Sequence, residues 1–392
     1  MNALFIKFDG RAGPYVMLDL QAFFSALGHN TTVADLRNLS HLPKNEASMI
    51  MIQTIKEALR NNLPDLIIAY GCNNIISFQI ETGAPVDLFT YLDIPSVSIF
   101  YDSPLDNRIF DGAFEAWHPE NNYFFIWDHH FTDEMKKIGI KKSYYMPIGT
   151  NIRRFKKLPY NEEDAKKYGA DVSFVGSYTT KREFMLRKLL DCKFNLVVWG
   201  YDWENAHDTR FRDCIRGVAD NESDLAKVYN YSKVNINLTV DQGISSLNMR
   251  VFDCMACGGF LISDYKKDFD TLFDREKETV TFKTIDELPD LVGYYLTHEE
   301  ERKEKAKLGR QRVLADHTYK NRVEFILETL ENDGAFDAPR WWEKHGDPGK
   351  VIDRFLGLAG DVCEDECEPE KKTSETAEYK TVNSVSVEET VK

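Results

Sequence analysis

No run of about 18 apolar residues, the length a membrane-spanning helix requires, occurs anywhere in the sequence, so no spanning segment is expected. No signal peptide is expected either. The opening MNALFIKFDG has no basic stretch followed by a long apolar one and reads as a first strand, giving a cytoplasmic expectation. Cysteine is scarce and odd in number, 7 in 392 residues, as reduced thiols would be rather than a disulfide framework. Cys254 and Cys257 make one C-x-x-C, but Cys192 with Cys214 does not supply the second pair that a zinc site needs, and Cys363 and Cys367 fall in an acidic tail. No metal site is expected from them. Positive charge is in deficit, with 49 Lys and Arg against 64 Asp and Glu. The resulting formal charge of -15 argues against non-specific binding to nucleic acid or an anionic membrane. No internal sequence repeat is present.

The length is enough for two ordinary domains plus a tail, and 25 Phe, 18 Tyr and 6 Trp supply the bulk for sizeable cores. The stretch from Ser245 to Tyr265, SSLNMRVFDCMACGGFLISDY, organises the rest. Ser245 or Ser246 is expected to cap a helix. Leu247, Val251, Cys254 and Met255 repeat at spacings of three and four, giving one apolar stripe. Gly258 and Gly259 stop the helix, and FLIS runs apolar without alternation, as a strand buried on both faces does. Packing leaves Asn248, Arg250 and Asp253 unexplained. An Arg at a helix start suits a phosphate, and an acid one turn further on can accept from a ribose hydroxyl. The plainer alternative is a solvated Arg-Asp pair on a buried α/β helix.

The same stretch resembles the donor-sugar segment of GT-B glycosyltransferases, and especially the CgeB-like (spore-maturation-type) glycosyltransferase family, whose pattern is roughly S-x-N-x-R-x-F-E-x-x-A-x-G-G. Ser246, Asn248, Arg250, Phe252, Ala256, Gly258 and Gly259 fit it as they stand. Asp253 takes the place of the usual Glu. Many retaining GT-B enzymes carry a pair of glutamates, and the earlier member would fall here at Ser245, which leans the expectation toward inversion. The resemblance implies two Rossmann-like doubly wound α/β domains facing across a cleft, with the donor nucleotide held mainly by the second.

Along the chain, strand, glycine turn, helix and strand open a doubly wound fold. The turn holds Gly10 and Gly13, and Asp9 ends the first strand. PSVSIFYD is a later strand that ends at Asp102, followed by SPLD. The resemblance places a similar aromatic-acid-proline element at the cleft. MPIGTNIRRF resembles the hinge that closes the first domain. Beyond it, ADVSFVGS is a strand ending in Gly176 and Ser177, followed by a capped helix with Lys181 and Arg182 in its first turn. A cation there opposes the helix dipole, so either a bound anion or solvent is expected around it; the resemblance commonly has an Arg at the place of Arg182. FNLVVWG ends at Gly200 and Tyr201, where a nucleotide base is expected to lie. The D-x-D at Asp268 and Asp270 comes late, in a segment that the resemblance makes a surface turn, and is not expected to hold a metal. VIDRFLGLA reads as a last helix, and the chain after Gly360 is acidic and reads as disordered.

The expected organisation is an acceptor-side domain over 1–152, a nucleotide-sugar domain over 153–332, a helical extension over 333–360 and a disordered tail over 361–392. The resemblance implies a metal-independent, hexosyltransferase-type enzyme using a nucleotide-diphosphate sugar, with no cofactor and an unknown glycan, protein or small-molecule acceptor. Arg182, Arg250 and helix N-terminal amides would carry the diphosphate charge. Asp102, then Asp9, are the candidates for an acceptor base. A catalytically silent sugar-nucleotide-binding or scaffold protein, or a GT-B-fold nucleotide-sugar epimerase, are the alternatives.

Overall fold

The structure, a computed structural model, describes residues 1–7, 13–71, 77–79, 85–87, 92–101, 103, 122–220, 222–239, 243–347 and 350. Asp9, Gly10, Asp102, the expected helix VIDRFLGLA and the acidic tail lie outside the described residues. The chain divides into two compact units. The first takes the described residues of Met1–Ile126, Phe131–Tyr144 and Phe325–Lys392, and the second takes Trp127–His130 and Tyr145–Glu324.

In the first unit, β1 (Asn2–Lys7), β2 (Asn30–Asp35), β3 (Leu66–Tyr70), β6 (Ser96–Phe100), β7 (Asn122–Ile126) and β8 (Ser143–Tyr145) form one sheet in the order β2-β1-β3-β6-β7-β8. The β1–β2, β1–β3, β3–β6 and β6–β7 pairings are parallel, for example Ile67 opposite Ser96 and Phe5 opposite Val33. Its central strands are apolar without alternation because helices cover both faces. Helix α1 (Gly13–Ala26) buries Val16, Met17, Leu20, Phe23 and Phe24, one face at helical spacing. Helix α2 (Lys44–Asn62) buries Ile55, Ala58 and Leu59 in a cluster with Leu4, Ile6 and Ile67. That cluster also contains Trp341, from the short helix α12 (Trp341–His345) near the far end of the described chain. A separate antiparallel pair joins β4 (Ser77–Gln79) to β5 (Pro85–Asp87), and α3 (His129–Lys137) follows β7.

The second unit repeats the plan. β9 (Val172–Val175), β10 (Leu196–Trp199), β11 (Val234–Asn237), β12 (Leu261–Asp264) and β13 (Val280–Phe282) form a sheet in the order β10-β9-β11-β12-β13, with parallel registers. The helices around it are α4 (Glu162–Tyr168), α5 (Thr180–Leu190), α6 (Asp224–Tyr231), α7 (Met249–Ala256), α8 (Phe269–Leu272), α9 (Leu288–Thr297), α10 (Glu299–Asp316) and α11 (Tyr319–Asn332), whose last residues belong to the first unit. The sequence predicts a single apolar stripe on α7. In fact every residue from Val251 to Ala256 is buried, Asp253 included. The sheet covers one side and α10 the other, and a Cβ added at Gly309 of α10 would stand 2.3 Å from the Met255 terminal methyl.

The segment 146–155, expected as a hinge, is tied closely to the second unit. Met146, Ile148, Thr150 and Phe155 are buried. Arg322 donates from Nε to the Pro147 carbonyl at 2.6 Å and from Nη2 to the Ile148 carbonyl at 3.1 Å. Its Nη2 also lies 3.1 Å from His317 Nδ1. The arginine can only donate, so that nitrogen accepts, and His317 Nε2–H donates to the Leu272 carbonyl at 3.1 Å. Both ring nitrogens are used by the neutral form, and burial, then Arg322, pushes the pKa from the ordinary 6.5 down to about 4. An unfolded chain binds a proton here below pH 6.5 while the folded one does not. His317 therefore makes stability fall as pH drops from about 6.5 to 4, by roughly 2–3 kcal/mol. Urea midpoints measured across that window should lose most of this slope in His317→Asn. An unchanged slope would mean that His317 is not held neutral.

Candidate functional site

In both sheets the chain builds outward from a central strand in one direction and then returns to build in the other, and ligands of such folds bind at the carboxyl ends of the strands beside that reversal. In the second unit the reversal lies between β9 and β11. β9 runs into Gly176 and Ser177, and β10 into Gly200 and Tyr201. These turns press together: a Cβ on Gly200 would stand 2.1 Å from the Gly176 carbonyl oxygen. A Cβ on Gly176 would meet Arg250 Nη2 at 3.2 Å and Arg182 Cζ at 3.3 Å. Glycine at 176 thus leaves room for two guanidinium groups at the same spot.

Both guanidiniums are fastened to main-chain carbonyls. Arg182, in the first turn of α5, is buried and donates from Nη1 to the Ser177 carbonyl at 2.7 Å and from Nη2 to the Leu238 carbonyl at 3.4 Å. It therefore spans the reversal, from the end of β9 to the end of β11. Arg250, half-buried at the start of α7, donates from Nε to the Val175 carbonyl at 2.8 Å. Among the described residues neither arginine has a carboxylate at ion-pair distance. Burial, then the neighbouring Arg250, pushes Arg182 down to about 9, with Asp264 opposing. Burial lowers Arg250 too, against Tyr229 and two aspartates. Of the two environments expected for Arg182, solvent is not the one found. Two adjoining cations with acidic groups acting on them only from beyond ion-pair distance are a suitable setting for an anion.

Among the described residues, the buried atoms Asn248 Nδ2, Trp127 Nε1 and Arg182 Nε have no hydrogen-bond partner. Ser246 Oγ and the Trp127 ring both crowd Gly243, at 2.2 and 3.0 Å from where its Cβ would be. Asn248, not Ser245 or Ser246, caps α7, its Oδ1 accepting from the Arg250 N–H at 3.1 Å. Ser245 turns its hydroxyl to Asp128 instead, and both serines stand ahead of the cap position. Ile244, Ser245 and Ser246 donate three successive N–H groups to Asp128 Oδ2, at 2.7, 3.0 and 3.2 Å. Ser245 Oγ and the His130 N–H donate to its Oδ1, at 2.6 and 2.9 Å. Burial alone would raise the Asp128 carboxyl, yet this set of donors holds it below the usual carboxylate range.

The D-x-D is not a surface turn. Asp268 is buried, accepts from the Tyr145 hydroxyl at 2.8 Å, faces His129 Nδ1 at 3.3 Å, and donates its own N–H to the Ser245 carbonyl at 3.0 Å. Burial raises its pKa. Asp270 turns to Tyr265 and Arg275, at 2.6 and 2.9 Å. Among the described residues no three His, Cys, Asp or Glu side chains gather as metal ligands would.

The structure therefore brings together Gly176, Ser177, Arg182, Gly200 and Arg250, with Asn248 and Ser246 on the adjoining stretch. Tyr201 is exposed at the end of β10, its carbonyl accepting from the Tyr178 N–H at 2.8 Å. Asp253 is buried one turn into α7, and its Oδ1 accepts from the Thr150 hydroxyl at 2.7 Å. Gly13 begins α1, while Gly10, Asp9 and Asp102 fall outside the described residues. Sequence reasoning missed Asp128, His129 and Tyr145. The signal that could have found the first two is W-D-H-H directly after the buried run YFFI, at a strand's carboxyl end.

A family model described as glycosyl transferase-like matches residues 181–328. Among solved structures, Anabaena HepE in complex with UDP and glucose superposes with a TM-score of 0.58 at 11% identity, covering 85% of this chain and 100% of that one. Sucrose-phosphate synthase from Thermosynechococcus elongatus gives 0.59 at 13%, covering 85% and 98%. A glycosyltransferase from Rickettsia africae ESF-5 gives 0.61 at 12%, covering 84% and 98%. Comparison with curated protein sequences finds no match. The chain has the GT-B fold of two Rossmann-like parallel-sheet domains, and its residues 181–328 are similar to a glycosyl transferase-like family.

Proposed function

We propose that this protein is a glycosyltransferase that takes a nucleotide-diphosphate sugar as donor and passes the sugar to a hydroxyl acceptor without needing a metal ion. The observation that carries the reading is the Arg182–Arg250 pair, two adjoining guanidiniums at the strand reversal of the second unit with no carboxylate at ion-pair distance among the described residues. In sugar transfer the bond between C1 and the diphosphate breaks, and negative charge grows on the departing phosphate oxygen. Fixed cations aimed at that oxygen stabilise the transition state more than the ground state. Asn248 Nδ2, without a partner among the described residues, is proposed to add a hydrogen bond. HepE, similar in fold, was seen with UDP and glucose, which favours a UDP-sugar. The finer CgeB-like and hexosyltransferase assignments rest on the S-x-N-x-R-x-F-D pattern from Ser246 to Asp253. Asp253, buried one turn into α7, is proposed to meet the ribose.

Arg250→Ala should weaken UDP binding by about 1.5–3 kcal/mol, the value of a charge-assisted hydrogen bond, and leave the melting temperature near that of the parent. Calorimetry with UDP in the presence of EDTA reads both claims. Parent binding that disappears in EDTA and returns with Mn²⁺ would overturn the metal-free part. Equal affinity in a folded Arg250→Ala would remove the arginine pair as the diphosphate site. Product analysis with nucleotide sugars then separates transfer or hydrolysis from binding alone and from epimerisation.

A further inference from the structure

The arginine pair accounts for the departing diphosphate and leaves open what takes the proton from the acceptor. His129 stands at the carboxyl end of β7, in the short piece Trp127–His130 that belongs to the second unit. Its ring stacks on Tyr145, with centroids 3.4 Å apart and planes inclined by 25°. Its Nδ1 faces Asp268 Oδ1 at 3.3 Å, and Tyr145 donates its hydroxyl to the other oxygen of the same carboxylate at 2.8 Å. The Asp268 side chain is 2% exposed, whereas that of His129 is 44% exposed. One edge of the imidazole is thus turned to a buried, oriented carboxylate, and Nε2 has no partner among the described residues. A carboxylate accepting from Nδ1–H leaves Nε2 as the proton acceptor, the arrangement by which a His base is kept in its working tautomer. The pair also reaches the anion site through the main chain. Asp268 N–H binds the Ser245 carbonyl, and the stretch from Ser245 leads to Asn248, whose Nδ2 has no partner among the described residues, and to Arg250.

We propose that His129 is the general base of the transfer, with Asp268 and Tyr145 as its positioning residues. Resting on the glycosyltransferase reading above, it adds the residue that receives the proton. The acceptor O–H bond breaks and its proton passes to His129 Nε2. The acceptor oxygen forms a bond to C1 with its electron pair, while the C1–O bond to the diphosphate breaks and its electrons leave with the nucleotide. His129 then returns its proton to solvent. One displacement at C1 inverts the anomeric centre. Water can take the acceptor's place, so hydrolysis reports the same step.

The test uses the full chain with UDP-, GDP- and dTDP-hexoses and follows hydrolysis. His129→Ala and His129→Gln should lower kcat by about 10²–10⁴-fold, the usual contribution of general base catalysis, with affinity for the nucleoside diphosphate unchanged. Imidazole added to His129→Ala should restore part of the rate, which no purely structural loss would allow. Asp268→Asn should lower kcat without weakening nucleotide binding. The first sugar released, read by NMR, should have the anomeric configuration opposite to that of the donor. Retention of configuration, or His129→Gln turning over near the parent rate, overturns the base while leaving the donor site standing. A parent that binds nucleotide and turns over none of the sugars overturns it as well. A parent that binds no nucleotide overturns the donor reading itself, and the base with it.

Discussion

Asp128→Ala should destabilise the second unit by about 3–5 kcal/mol. The carboxylate is fully buried and receives hydrogen bonds from three consecutive N–H groups, the Ser245 hydroxyl and the His130 N–H. Its removal leaves those donors in a buried place without an acceptor. Each unsatisfied group costs roughly 1–3 kcal/mol, and water entering the small space left behind recovers part of the sum. Asp128→Asn keeps the volume but turns one end into a donor. Since both oxygens face N–H groups, either orientation sets donor against donor, and a loss on the order of 2 kcal/mol is expected. The wild-type contribution should be complete above the ordinary carboxylate value of 3.8 and disappear as pH falls through the lower folded value. Urea unfolding of both variants at neutral pH, then of the parent toward pH 3, measures this. A parental midpoint for Asp128→Ala would mean the loop 243–246 holds its shape without the carboxylate. The same variants should bind UDP less tightly, because that loop leads into Ser246 and Asn248.

Trp341→Ala should cost the first unit about 3–5 kcal/mol, the range for removing a buried tryptophan. The ring is 2% exposed among Leu4, Ile6, Ile55, Leu59 and Ile67, and its Nε1 donates to the Pro64 carbonyl at 3.1 Å. Trp341→Phe keeps much of the packing and loses the hydrogen bond, so about 1 kcal/mol of the loss should come from that bond. A denaturation followed by probes in each unit should show the first transition moving and the second staying put. Coincident parental curves for Trp341→Ala would detach α12 from the core of the first unit.

What could be read in the sequence was what depends on neighbours along the chain. Runs such as LIIAY and VSFV mark strands buried on both faces, and they are β3 and β9. Gly258, at φ 76, stops α7 where the Gly-Gly pair was expected to. Arg182 and Arg250 stood out because a cation in the first turn of a helix has no local reason to be there, and the fold places them side by side. What could not be read depends on distant partners. Asp128 meets Ser245 across 117 positions and His129 meets Asp268 across 139. Nothing in the local pattern of W-D-H-H or K-D-F-D announces either contact. The cap of α7 shifted to Asn248 for the same reason, since its two rival serines were claimed by Asp128. Asp268, which the resemblance placed in a surface turn, is buried, with Tyr145 and His129 from elsewhere in the chain against its carboxylate.

The division of the chain between the units has a consequence for synthesis on the ribosome. The core of the first unit begins with Leu4 and Ile6, yet one of its walls is Trp341. At roughly 5–20 residues per second, that wall emerges tens of seconds after the strands it covers. The second unit draws nearly all of its residues from one continuous stretch, Tyr145–Glu324, and can close as soon as that stretch is out. The nascent chain should therefore gain protease resistance in the reverse of its reading order, the later half first. Until Trp341 arrives, the apolar face around Ile6 and Ile67 is a surface for chaperones to cover.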